Sequence, residues 1–177
     1  MTLSVGADYR AATRSCILAF KRSGSGECGD ALVPLAASAI RHTVVDSAVI
    51  VPIPSGRATR SKSGVDVAHY FASRARQLNR KHDLDVPVVS LFKSRWTGRM
   101  QKGQSAAARL QNADNLIRLD RNRVNALKRD RGPSVRVVLF DDVATTGATL
   151  LAARAAVRAS GLHVGAAAVI AGVTPRG

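Results

Sequence analysis

Two adjacent carboxylates, Asp141 and Asp142, stand just before a cluster of small and hydroxyl-bearing residues, Ala144, Thr145, Thr146, Gly147, Ala148 and Thr149. The preceding residues read V-R-V-V-L-F, an apolar and β-branched run that predicts a strand stopping at the acidic pair. The residues after it predict a helix starting near Ala148. The amino end of such a helix leaves backbone N–H groups unpaired and carries partial positive charge, so it attracts a phosphate. Thr145, Thr146 and Thr149 add hydroxyl donors, and Gly147 lets the backbone approach a ligand closely. Two carboxylates would repel a bare phosphate, so the ligand has to bring a diol or a hard cation as well. The plainer alternative is an ordinary strand-to-helix turn with a threonine as helix cap and solvated aspartates.

On these residues the chain resembles the phosphoribosyl-pyrophosphate signature of type I phosphoribosyltransferases, a short hydrophobic strand followed by an acidic pair and T-G-x-T, over residues 138–150. The resemblance implies that Asp141 and Asp142 are the catalytic carboxylates, contacting the ribose hydroxyls. It implies that the loop from Ala144 through Thr145, Thr146, Gly147 and Ala148 to Thr149 holds the ribose 5-phosphate. Mg²⁺ is the implied cofactor, held mainly by the substrate and met by Asp141 and Asp142 through water.

A chain of 177 residues is long enough to bury one core, and a single domain over residues 1–177 is expected. With 46% hydrophobic but only 4% aromatic residues, that core has to be built from Ala, Val, Leu and Ile. Twenty-seven Lys and Arg against twelve Asp and Glu give a net charge of +15. Such a surface favours polyanionic partners, whether phosphorylated sugars, nucleic acid or anionic lipid. Cys16 and Cys28 are too few for a zinc site, which points to a reduced, cytoplasmic chain. The first residues show no lysine- or arginine-led hydrophobic core ending in small residues, and no run of 18 or more apolar residues occurs, so a chain neither secreted nor membrane-spanning is expected, with no membrane partner. His42, His69, His82 and His163 are scattered without partners and read as surface or packing residues.

Several elements must position the acidic turn. A helix is expected over residues 9–21, ending before Ser23-Gly24-Ser25-Gly26, a loop without the G-K-[ST] of a nucleotide P-loop; Lys21 and Arg22 beside it read as solvated. A second helix is expected over residues 30–42, with Asp30 as cap and Pro34 in its first turns. Residues 48–53 and 86–92 read as strands, and Val65, Ala68, Phe71, Ala72, Ala75 and Leu78 recur at helical spacing between them. Residues 122–133 read as a charged, solvated connector. A helix over 148–160 stopped by Gly161, then a strand over 163–173, complete the pattern. Alternating strands and helices imply an α/β fold with a mainly parallel sheet and ligands at the carboxyl ends of its strands.

Positive charge concentrates in two loops that should open on the same edge as the acidic pair. Backbone N–H groups near Ser55 and Gly56, with Arg57 and with Arg95, Arg99 and Lys102 of the second loop, are the expected clamp for a pyrophosphate. The guanidinium fork pairs with two phosphate oxygens at once. The segments V-P-I-P-S-G-R, K-S-G-V-D-x-A, R-W-T-G-R-M-Q and A-A-R-L-Q-N are similar to the ComF/GntX (competence protein F-like) branch of the phosphoribosyltransferases. Gly64, Asp66, Ala68, Gln101, Arg109 and Asn112 are the corresponding positions. Asp66 stands where that branch has asparagine, and Val65 where it has phenylalanine. Thr97 lies one residue further from Gln101 than the pattern asks, and the amino-terminal zinc ribbon common in the branch is lacking. The implied fold is a twisted parallel sheet flanked by helices, with a small hood formed by amino-terminal and loop segments.

The resemblance implies a pentosyltransferase that binds phosphoribosyl pyrophosphate and passes the phosphoribosyl group to an acceptor. Purine-salvage relatives carry an aspartate in the phosphate loop where this chain has Thr145, which disfavours hypoxanthine or guanine. A non-enzymatic competence factor binding single-stranded DNA is the rival expectation, with Trp96, Tyr9 and Tyr70 as the stacking candidates. A homodimer is among the open outcomes for assembly.

Overall fold

In a computed structural model of the chain, residues 1–54, 66–93, 117–132 and 134–173 are described. The order is β1 (Thr2–Asp8), α1 (Ala11–Ser23), α2 (Gly26–Arg41), β2 (Ala48–Pro52), α3 (Val67–Arg80), α4 (Arg121–Arg131), β3 (Arg136–Ala144), α5 (Ala148–Ala159) and β4 (His163–Gly172). Among the described residues four strands form one sheet in the order β1-β4-β3-β2, and every neighbouring pair is parallel. The chain is therefore α/β, with a parallel sheet between helices.

A parallel sheet covered on both faces needs strands that are apolar throughout. All of β2 is buried, and in β3 burial runs from Val137 through Asp142. Ile50, Val138, Phe140, Ala168 and Ile170 share a core with α1, α2 and α3. Val49, Val51, Val137, Leu139, Ala167 and Val169 share the opposite core with α4 and α5. One residue of β4 interrupts the alternation: Val137 pairs with Val164 but Val138 with Ala166, which leaves Gly165 as the extra residue of a bulge.

Several expected elements differ in extent or kind. The acidic pair does not end β3, which continues to Ala144. The Ser23–Gly26 segment is a tight turn: Gly24 closes α1 at φ 71°, and the hydroxyl of Ser25 accepts from Cys28 N–H to cap α2. Ser25 thus replaces Asp30 as the cap, and Pro34 falls inside the helix. Residues 86–92 form no strand; Val88 makes an isolated parallel bridge to Ile50 and Phe92 an antiparallel one to Leu119. Pro87 supplies no N–H to a longer ladder. The expected connector over residues 122–133 contains helix α4, capped by Asp120 and held to the core by Val124 and Leu127. The amino-terminal segment, expected in a hood, instead supplies edge strand β1 and two helices packed on one sheet face. Among the described residues no helix is long and apolar enough to cross a membrane.

Candidate functional site

The acidic pair sits near the carboxyl end of β3, one strand in from the β2 edge. Asp141 and Asp142 are 8% and 5% exposed, so neither is a solvated surface acid. Burying two neighbouring carboxyls requires compensation. Part comes from the backbone, since Asp142 N–H donates to Asp141 Oδ1 at 2.8 Å. The rest comes from α1, whose Lys21 ammonium forms an ion pair with Asp142 Oδ2. Lys21 is in the last turn of its helix, where the partial negative charge of the helix end also favours a cation.

Among the described residues no cation pairs directly with Asp141. Burial pushes its carboxyl well above the ordinary range, and the charge of Asp142 and a hydrogen bond between the two side chains push it further the same way. The Asp142 N–H and the more distant Lys21 offset only part of this. The result is a buried acid pair in which Lys21 is the counterion of Asp142. Such a trio offers oxygen acceptors to sugar hydroxyls and can change its protonation when a ligand arrives.

The turn after β3 has the opposite character. Thr145, Thr146 and Ala148 are exposed, and Gly147 adopts the left-handed φ of 73° that begins α5. A Cβ at Gly147 would meet nothing within 4 Å, so its backbone conformation, and not a steric neighbour, calls for glycine there. Leu151 N–H makes the first helical bond, to Gly147 O at 2.9 Å. Ahead of it, the N–H groups of the first turn have no intrahelical acceptor. Ala148 N–H reaches the hydroxyl of Thr146, at 3.4 Å. Thr145, Thr146 and Gly147 line a groove of about 340 Å³ together with Ala144, Leu3 and Val5 of β1, Gly172 and Val173.

A second cleft, of about 240 Å³, lies beside the carboxyl end of β2 and is lined by Pro52, Pro54, Asp66, His69, Ser90, Phe92 and Arg123. Pro52 pairs with Phe140 and Ile53 N–H donates to Phe140 O at 2.8 Å, so this cleft opens on the sheet edge where the acidic pair sits. The hydroxyl of Ser90 lies 3.2 Å from His69 Nδ1, and Arg123 Nη1 donates to Ser90 O at 3.2 Å. Asp66 has a structural task there: its carboxylate accepts from His69 N–H at 3.1 Å and caps α3.

Of the expected site residues, Asp141, Asp142, Ala144, Thr145, Thr146, Gly147, Ala148 and Thr149 come together in one continuous corner. Ser55, Gly56, Arg57, Arg95, Arg99 and Lys102 lie outside the described residues, as do Trp96, Gly64, Gln101, Arg109 and Asn112. Lys21, expected to be solvated, is a correction: its side chain is 17% exposed and neutralises Asp142. Its partner is remote in sequence, so local pattern carried no signal of it. Arg123, expected on a solvated connector, and His69, expected to be surface or packing, both line the second cleft. No family model matches this chain and no curated protein matches it.

Proposed function

We propose that this chain is a phosphoribosyltransferase-like protein of the type I fold, belonging to the ComF/GntX branch. It binds phosphoribosyl pyrophosphate with Mg²⁺ and transfers the phosphoribosyl group to an acceptor nucleophile with release of pyrophosphate. The observation that carries the reading is the junction of a buried acid pair with an exposed, glycine-turned helix start. Each half matches one end of a sugar phosphate, hydroxyls on the carboxylates and the 5-phosphate on the N–H groups of α5.

Asp141 and Asp142 orient the ribose, and the negative charge the pair carries favours the positive charge that develops on its ring as pyrophosphate leaves. Thr145 and Thr146 donate to the 5-phosphate beside the first turn of α5. The residues present fit Mg²⁺ in the form that cation prefers, one or two carboxylates with substrate phosphates and water. Among the described residues no third metal-ligating side chain joins the pair, so Asp141 and Asp142 would hold the ion through water. When bound, it supplies charge neutralisation to the leaving group. The basic residues Arg57, Arg95, Arg99 and Lys102 complete the pyrophosphate half of this proposal.

A thermal-shift titration with phosphoribosyl pyrophosphate and Mg²⁺ tests the reading. A saturable rise in Tm is expected, and no rise at millimolar donor refutes it. A second reading, a single-stranded DNA-binding competence factor, is favoured by α4, which exposes Arg121, Arg123, Arg129 and Arg131 along one short helix. It predicts oligonucleotide binding that weakens steeply with salt, and the absence of binding at low salt eliminates it.

A further inference from the structure

Away from the acidic corner, the α1–α2 hairpin brings together the chain's two cysteines. Cys16 and Phe20 stand one turn apart on α1 and so share a face. That face meets α2 at Gly29, where a Cβ would lie only 3.0 Å from the Phe20 ring. Cys28 directly precedes this close approach. Both thiols are free, both are half-buried, and both pack against the same core. The neighbouring Cys28 side chain and burial raise the Cys16 thiol above its ordinary range, in keeping with two thiols set on facing sides of one hairpin.

We propose that Cys16 and Cys28 are a reversible dithiol–disulfide site that ties α1 to the first turn of α2. The oxidant is a low-molecular-weight disulfide of the glutathione type. The thiolate of Cys28 attacks it, forming a mixed disulfide and releasing one thiolate. Cys16 then gives up its proton to that leaving group and attacks the Cys28 sulfur, displacing the second thiolate. Two electrons and two protons pass from the protein to the oxidant, which leaves as two thiols. The bridge closes the loop that holds Lys21, so oxidation fixes the last turn of α1, the turn that holds the counterion of Asp142. Formation of the bridge rests on the helix hairpin alone and is independent of any sugar-phosphate chemistry.

The test is to treat the folded, full-length protein with oxidised glutathione, then measure its mass, free thiols and backbone amide exchange. The expected product is a monomer lacking two hydrogens and both free thiols, restored by dithiothreitol, with circular dichroism unchanged. Amide exchange in the last turn of α1 slows in that product. Cys16→Ser and Cys28→Ser each stop at a single glutathione adduct. The proposal is overturned if the folded wild-type protein keeps both thiols, accepts two glutathiones, or crosslinks only between chains. It is equally overturned if the bridge forms only after the chain is denatured.

Discussion

The two halves of the segment from Asp141 to Thr149 are neighbours in sequence but are solvated in opposite ways. The acidic half is buried, with Lys21 on one carboxylate and the other carboxyl pushed well above its ordinary range by burial and by its neighbour. The turn half is exposed, and its donors face a groove. A buried charge has to bring its own compensation, whereas a helix start can leave its N–H groups to water until an anion replaces it. The difference predicts which substitutions damage the fold and which reach only the ligand.

The largest effect is expected from Asp142→Ala, which strands the Lys21 ammonium in a mostly buried position. Removing one partner of such a pair should cost about 3 kcal/mol in urea unfolding. Adding Lys21→Met should recover part of that loss, because no uncompensated charge then remains. If the double variant is no more stable than Asp142→Ala, the ion pair is not what compensates the buried acid.

Next comes the pH dependence of the fold. A carboxyl whose value is raised in the folded state binds more protons there than in the unfolded chain, so stability falls as pH rises from the unfolded value through the folded one. Asp141→Asn removes that loss, and its stability curve should run flatter and above the wild type by about 1–3 kcal/mol on the alkaline side. Urea melts across a pH series measure this directly, and parallel curves would show that Asp141 titrates normally.

The exposed half should yield smaller changes. Gly147→Val forces a β-branched residue to a φ of 73° with no neighbour to clash, so its cost is conformational, about 1–2 kcal/mol. Gly147→Asn should cost less, since asparagine tolerates that region. Thr146→Ala breaks only a long bond to Ala148 N–H and should cost about 0.5 kcal/mol or less. A large loss there would make the turn as structural as the acid pair.

Much of this comparison was legible in the sequence because it depends on local pattern. The apolar run before Asp141 predicted β3 only up to the acidic pair, four residues short of its end at Ala144, and the glycine before Ala148 predicted the start of α5. The sheet's parallel character followed from alternation of strands and helices. Strand β1 was missed although Leu3, Val5 and Ala7 alternate with Thr2, Ser4 and Gly6, a short period-two signal. Helix α4 was hidden by charge, since only Val124 and Leu127 are buried in it, and its marks are the Asp120 cap and the Gly132 stop. Lys21 was illegible for a different reason. Its role exists only once α1 packs beside β3, and no periodicity encodes a contact between residues so distant in the chain.

The most direct test of the central claim, that Asp141 to Thr149 is one sugar-phosphate site, is isothermal titration with phosphoribosyl pyrophosphate and Mg²⁺. Wild type and the Asp141→Asn, Asp142→Asn double variant are compared, with folding of both checked by circular dichroism. The account predicts saturable binding to wild type, weakened at least about a hundredfold in the variant by loss of charged acceptors. Donor binding that is absent from the wild type, or unchanged in the folded variant, would contradict it.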